Sequence, residues 1–219
     1  MTSPRLFDSH AHVNFAAFHE DWETVLDSCQ QDGVWVTLVG SQLDTSRRAV
    51  ALASPYPEGV YAAVGLHPVH MSDQPEPFRV EDYAGLIAAS PKVVAVGETG
   101  VDYYRLPPGR EEEELTRQRE VFIALLRLAL TADKALIVHV REHPTGPRRA
   151  YQEVLTMLSA EQSSGLPRGV IHCFLGTLEE ARAFTALGFF IGVTGIVTFE
   201  QNAEVLQTVV AALPLERIV

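Results

Sequence analysis

Short apolar runs rich in β-branched residues recur along the chain, and their spacing constrains the fold more than any other feature. The runs cover residues 6–7, 34–39, 60–64, 93–96, 135–140, 169–172, 189–193 and 217–219. Successive runs start 20 to 42 residues apart, which leaves room for one helix between each pair. The runs are almost continuously apolar, as is typical of parallel strands covered on both faces.

The segments between the runs have helical periodicity. Thr177 and Glu180 form a capping box at the start of one amphipathic segment, and residues 111–114 are four glutamates suited to the positive end of a long helix. Strands alternating with helices predict an α/β fold with a parallel sheet. About eight repeats favour a closed TIM (β/α)8-type barrel, formed as a single domain over residues 1–219.

The eighth repeat is short in this sequence. Its run begins at Arg217 and the sequence ends at Val219, so neither the end of the strand nor a following helix is present. A closed barrel typically takes ~250 residues, whereas the chain has 219. We therefore expect a barrel truncated within its eighth strand, lacking its C-terminal end.

Composition excludes several classes of protein. With 17 basic and 28 acidic residues the formal net charge is -11, which argues against a broad basic surface that binds nucleic acid. The two cysteines, Cys29 and Cys173, are far apart in the sequence, so neither a disulfide scaffold nor a thiolate metal site is expected. No stretch approaches the ~18 apolar residues of a membrane span. We expect a soluble, cytoplasmic protein without a membrane partner, whose metal chemistry would need histidine and carboxylate.

Five potential metal ligands fall at the carboxyl ends of the predicted strands: His10, His12, Glu98, His139 and His172. A bare His-x-His pair is as well explained by a polar loop. In a barrel, however, the carboxyl ends of separate strands meet at the face where active sites form. Imidazoles with one carboxylate suit Zn, Mn, Co, Ni or Fe, and the carboxylate can be shared by two ions. The sequence therefore predicts a two-metal centre.

Four further polar residues are candidates for binding substrate. Arg141 lies two residues after His139 and either grips a phosphate or forms a salt bridge at the rim. His67 ends the predicted third strand and either contacts substrate or is a hydrogen-bonded rim histidine. Asp102 and Tyr103 follow Glu98 in a predicted loop, where they either position substrate or pack.

The motifs taken together resemble those of the TatD family of metal-dependent hydrolases. They are residues 7–12 (FDSHAH), 65–68 (GLHP), 97–104 (GETGVDYY), 139–141 (HVR) and 172–176 (HCFLG). The resemblance implies an amidohydrolase-type TIM barrel, two divalent metal ions and hydrolysis of phosphodiester bonds in DNA. It also implies that His10 and His12 bind one metal, that Glu98 bridges and is essential for catalysis, and that His139 and His172 bind the other metal. Histidine-rich ligation favours Zn or Mn, while family members are often described as magnesium-dependent.

One family feature is absent from this sequence. Family members continue past a segment like residues 213–219 into a strand end that bears a metal-ligating Asp, and no residue follows Val219 here.

Three functional hypotheses follow. The first is a TatD-like deoxyribonuclease that uses a metal-activated hydroxide on DNA and acts at single-stranded ends. The second is a metal-dependent amide or ester hydrolase built on the same centre. The third is a truncated metal-binding homologue with little activity. The sequence leaves the oligomeric state open.

Overall fold

The computed structural model describes residues 4–72, 77–147, 149–201 and 203–219. Seven parallel strands form one sheet in the order β1 to β7, curled with helices on its outer face, which confirms the predicted α/β barrel-type fold. The strands are β1 (Leu6–Ala11), β2 (Val34–Val39), β3 (Val60–Val64), β4 (Val93–Asp102), β5 (Ala135–Arg141), β6 (Gly169–His172) and β7 (Phe190–Ile191). The helices are α1 (Trp22–Gln31), α2 (Leu43–Ala53), α3 (Val80–Ala89), α4 (Glu111–Thr131), α5 (Ala150–Glu161), α6 (Leu178–Ala186) and α7 (Glu204–Ala212).

Local sequence signals account for several helix ends. The predicted capping box is present at α6, where Thr177 and Glu180 each bond the other's backbone N–H. The four glutamates occupy the first turn of α4, where the helix dipole favours negative charge. Among the described helices none is both long and apolar enough to cross a bilayer.

The buried side chains form two layers, one on each face of the sheet. The outer layer packs strand residues such as Leu38, Val96 and Leu136 against helix residues such as Phe122 and Phe184. The inner layer is smaller and contains Val39, Ala63, Ala95 and Ile137. Residues that follow the inner layer toward the carboxyl ends of the strands therefore face the barrel mouth.

Two irregularities in strand pairing reverse the simple alternation of side chains. The β1–β2 register shifts between Asp8 and Ala11, and the β4–β5 register shifts between Val96 and Thr99. Ala95 lies on the inner face, and three residues later Glu98 also points inward. A bulge re-aims side chains in this way and is common beside functional sites.

Gly100 permits the close approach of β4 to β5 after the bulge. Its φ is +149°, and a Cβ built on it would overlap the carbonyl oxygen of His139. Only glycine tolerates both conditions. The backbone that carries Glu98 therefore lies against the strand that carries His139.

Some predicted strand limits were wrong. β4 extends to Asp102, so Glu98 lies within the strand and Asp102 is not in a loop. β3 ends at Val64, three residues before His67. At the predicted eighth strand, residues Leu215–Arg217 form a short 3-10 helix, and Ile218 makes a single parallel bridge to Ile191 of β7. Within the described residues, β1 pairs only with β2, so the sheet is open at this seam.

Candidate metal centre

Glu98 lies at the centre of a histidine cluster at the barrel mouth. Its side chain comes from β4, and the residue is 4% exposed. One carboxylate oxygen, Oε2, is 3.2 Å from Nε2 of His10 on β1. The other oxygen, Oε1, is 3.0 Å from Nδ1 of His139 on β5 and 3.7 Å from Nε2 of His67. One carboxylate thus contacts histidines on two sides.

The first group of potential ligands is His10, Glu98 and His172, whose ligand atoms lie within 4.8 Å of one another. The ring of His172 stacks on that of His10, with centroids 3.5 Å apart. His12 adjoins this group, because its Nε2 is 3.2 Å from Nε2 of His10. The Nδ1 of His12 is 3.0 Å from the carbonyl oxygen of Val39, which orients the ring so that Nε2 faces the cluster.

The second group is His67, Glu98 and His139, again with ligand atoms within 4.8 Å of one another. The Nε2 of His67 is 3.1 Å from the Nδ1 of His139. The other ring nitrogen of His139, Nε2, is 3.0 Å from Oδ2 of Asp102. A carboxylate behind a histidine is the usual support of a metal ligand, because it fixes the tautomer and the ring orientation.

The residues present fit a divalent cation in each group. Imidazole nitrogens lie 3.1 and 3.2 Å apart beside a buried carboxylate, so each pair is joined either by the N–H of one ring or by a cation that both nitrogens bind. The Nδ1 of His10 is buried and has no hydrogen-bond partner among the described residues. Mixed nitrogen and carboxylate ligation is typical of catalytic metal sites.

Comparison with known proteins identifies the family. The family described as TatD related DNase matches residues 7–219. The chain belongs to the TatD family. Its relatives are metal-dependent hydrolases and nucleases, and this TatD protein is accordingly a hydrolytic enzyme.

Individual relatives cover nearly the whole of this TatD chain. The uncharacterized metal-dependent hydrolase YabD of Bacillus subtilis (strain 168) is 33% identical over 97% of the chain and 77% of its own length. The 3'-5' ssDNA/RNA exonuclease TatD of Escherichia coli (strain K12) is 32% identical over 97% of the chain and 76% of its own length. The crystal structure of YjjV, a TatD homologue from Escherichia coli K12, superposes with a TM-score of 0.82 at 30% identity, covering 100% of this chain and 78% of that one.

The histidines of this TatD centre differ in their affinity for protons. Burial, followed by the neighbouring His139, lowers the pKa of His67 to about 3. Burial, followed by His10, lowers the pKa of His172 to about 4, and the same two causes lower the pKa of His12. These three rings are neutral at pH 7, which is the protonation state that binds metal.

His139 is the exception, because two carboxylates face it. Burial alone would lower its pKa, but hydrogen bonds to Asp102 and Glu98 raise the pKa of His139 to about 9. Burial would likewise raise the pKa of Glu98, but hydrogen bonds from His10 and His139 hold that pKa well below its usual range. Glu98 is therefore anionic and His139 holds a proton between the two carboxylates, so a cation that binds in the second group would have to displace that proton.

The structure groups the candidate ligands differently from what the family resemblance implies. His172 pairs in register with His139 on the neighbouring strand, yet its ring stacks on His10 and belongs to the first group. His67, predicted to bind substrate, lies in the second group beside His139. Strand ends do not reveal such groupings, because ring orientation depends on side-chain packing.

Two predicted substrate-binding residues lie elsewhere. Asp102 is 0% exposed, and its Oδ2 lies 3.0 Å from Nε2 of His139, so its carboxylate supports that ring, and its contact with substrate stays a prediction. Tyr103 follows β4 and turns away from the mouth, where its hydroxyl donates a hydrogen bond of 2.6 Å to Glu153 of α5. Glu153 also pairs with Arg119 of α4. Tyr103 thus joins the end of the strand to two helices.

Arg141 and Tyr104 occupy the rim instead. Arg141 is exposed at the end of β5. Its guanidinium carbon lies 3.9 Å from the centroid of the Tyr104 ring. Tyr104 was not among the predicted site residues, and it lies two residues beyond the end of β4.

Replacing Tyr103 with Phe tests the structural role of its hydroxyl. We expect the free energy of unfolding to fall by about 1 to 2 kcal/mol, because the Glu153 carboxylate loses a hydrogen bond. Denaturant unfolding measures the loss. KM for any hydrolysed substrate should not change, and a raised KM with unchanged stability would return Tyr103 to the substrate site.

Proposed function

We propose that this protein hydrolyses phosphodiester bonds of single-stranded DNA, with two divalent cations held at the barrel mouth. The position of Glu98 carries the proposal, since its two oxygens contact two separate histidine groups. His10, His12 and His172 would hold one cation, and His67 and His139 the other, with Glu98 shared. The naming of several relatives as 3'-5' ssDNA/RNA exonucleases supports the choice of substrate.

Bound divalent cations would supply a Lewis acid and lower the pKa of a coordinated water. The protein's own residues prepare the site for them. Asp102 faces Nε2 of His139 and so leaves Nδ1 directed at Glu98. The carbonyl oxygen of Val39 similarly fixes His12. Burial of Glu98 keeps bulk water from this carboxylate, which strengthens its interaction with any cation.

Imidazole ligands favour Zn, and the added carboxylate also suits Mn, whereas Mg prefers a site made entirely of oxygen ligands. The proposed ligands are five histidines and one glutamate, so we propose Zn or Mn. Metal analysis of the purified protein, followed by activity titrations with Zn, Mn and Mg, would identify the ion that supports turnover.

We further propose that residues 1–219 form one domain in a cytoplasmic protein, since both core layers share a single sheet.

A second candidate is hydrolysis of an amide or ester, because the same donor set would serve attack at a carbonyl carbon. Arg141 favours the phosphodiester. Its exposed guanidinium stands at the mouth and forms no side-chain ion pair or hydrogen bond with any residue that the structure describes, and a planar fork of N–H groups matches phosphate oxygens.

Parallel assays distinguish the candidates. We expect Mn²⁺ or Zn²⁺ to support cleavage of a labelled single-stranded oligodeoxynucleotide, with slower cleavage of the same sequence as a duplex. A panel of acyl esters and amides should be hydrolysed far more slowly. Faster turnover of the acyl panel would establish the second candidate. Tight metal binding with no turnover of either substrate class would contradict both and leave the metal-binding homologue.

A further inference from the structure

We propose that Tyr104 and Arg141 together bind one nucleotide of a single strand beside the metal centre, with the base stacked on the Tyr104 ring and a phosphate on the Arg141 guanidinium. This inference rests on the proposed function, and it adds a recognition element for an unpaired base. Neither residue is a candidate metal ligand.

The two residues lie at the same level of the barrel mouth. Asp102 of β4 and Arg141 of β5 are partners in the strand register. Arg141 ends β5 two residues after His139, and Tyr104 lies two residues beyond the end of β4, where its ring reaches the Arg141 guanidinium. A nucleotide held there lies next to the metal ligands.

Asp102 links the platform formed by Tyr104 and Arg141 to the centre through its two carboxylate oxygens. Oδ2 is 3.0 Å from Nε2 of His139. Oδ1 accepts hydrogen bonds of 2.8 Å from the backbone N–H groups of Tyr104 and Arg105. A single buried side chain therefore fixes both a metal ligand and the backbone that presents the Tyr104 ring.

Both side chains of the pair are exposed to solvent. Tyr104 is 45% exposed, although a tyrosine ring is readily buried in a core. Arg141 stacks on the ring at 3.9 Å, and its side chain has no hydrogen bond or ion pair within the described part of the chain. Stacking holds the guanidinium plane while its N–H groups remain available, so less side-chain entropy is lost when a phosphate binds.

These properties favour binding of single-stranded over double-stranded nucleic acid. A base in a duplex has both faces covered by its neighbours, so only an unpaired base or a strand end can stack on a protein ring. Base–aromatic stacking tolerates any base, because each has a π face. The local cation also attracts a phosphate to a protein whose net charge is -11.

The test compares Tyr104→Leu, Tyr104→Phe and Arg141→Gln with the wild-type protein. The first readout is binding of a fluorescein-labelled single-stranded oligothymidylate in EDTA, measured by anisotropy. We expect Tyr104→Leu to weaken binding by about 5- to 150-fold, the range for loss of one base stack, and Tyr104→Phe to bind nearly as wild type. Arg141→Gln should lower the slope of log K against log salt by about 0.7, as for one lost phosphate contact.

The second readout is turnover by the metal-loaded protein. KM for the oligonucleotide should rise in Tyr104→Leu while kcat changes little, because the base stack holds the substrate and takes no part in bond cleavage. Tyr61→Leu is a matched control, because Tyr61 also lies under a cation, with Lys92 Nζ 5.4 Å from its ring, but it is on β3 far from the mouth. Arg168→Gln controls for charge, since Arg168 precedes β6 and is exposed.

The outcomes separate this inference from the proposed function. If the wild-type protein cleaves the oligonucleotide but Tyr104→Leu binds and cleaves it equally well, the platform is refuted and the nuclease assignment stands. If the wild-type protein neither binds nor cleaves oligonucleotides, both fail. Equal loss in Tyr104→Leu and Tyr61→Leu would also refute the platform, because a general loss of structure would then explain it.

Discussion

Replacement of Glu98 with Gln is expected to lower metal-dependent turnover by about 10³-fold or more. The carboxylate is the one side chain that contacts both histidine groups among the described residues, and its amide analogue has the same shape but no charge. A loss of about 4 kcal/mol of transition-state stabilisation corresponds to this factor. The measurements are kcat/KM on the single-stranded oligodeoxynucleotide and metal content after dialysis, both of which should fall.

Glu114→Gln is the matched control, because it also replaces a buried carboxylate with an amide. Glu114 of α4 is also buried, but it accepts a hydrogen bond from Ser72 and lies outside the histidine cluster. This variant should retain metal and turnover. Full metal content and activity in Glu98→Gln would show that the carboxylate neither holds metal nor acts in the reaction, and the proposed centre would then have to be abandoned.

Replacement of Asp102 with Ala is expected to weaken metal binding by about 10- to 100-fold, which is typical for loss of the partner behind a ligating histidine. Asp102 has no exposed surface and faces Nε2 of His139. Without the carboxylate, the His139 ring is free to change tautomer and orientation. Titration of the metal-free protein with Mn²⁺ or Zn²⁺ measures the affinity, and Asp102→Asn, which can still accept a hydrogen bond, should lose less.

Asp133→Asn is the matched control for this series. Its carboxylate is almost fully exposed and lies at the end of α4 away from the mouth, so metal affinity should not change. If Asp102→Ala bound metal as tightly as the wild-type protein while KM rose, Asp102 would contact substrate after all. The folded fraction of each variant should be checked by circular dichroism, since the Oδ1 contacts of Asp102 also support the backbone after β4.

The spacing of apolar runs was sufficient to predict the fold, because burial and backbone hydrogen bonding leave few arrangements for alternating strands and helices. The capping box at Thr177 illustrates the same agreement on a local scale, since its residues contact each other within one turn. The motifs also placed His10, His12, Glu98, His139 and His172 near one mouth, because parallel strands end together.

The tertiary structure decided how those side chains meet. If side chains alternated strictly along β4, Ala95 would point inward and Glu98 would point toward the helices. The register shift between Val96 and Thr99 directs Glu98 inward instead. Gly100 allows β4 to lie close against β5 at this point. Three other contacts likewise join residues that are far apart in the sequence. They are the contacts of Asp102 with His139, of Tyr103 with Glu153 and of Arg141 with Tyr104. The sequence alone determined which elements form and which ends carry the chemistry, because those depend on local periodicity. Pairing shifts and side-chain contacts depend on close packing between strands, so they became visible only in three dimensions.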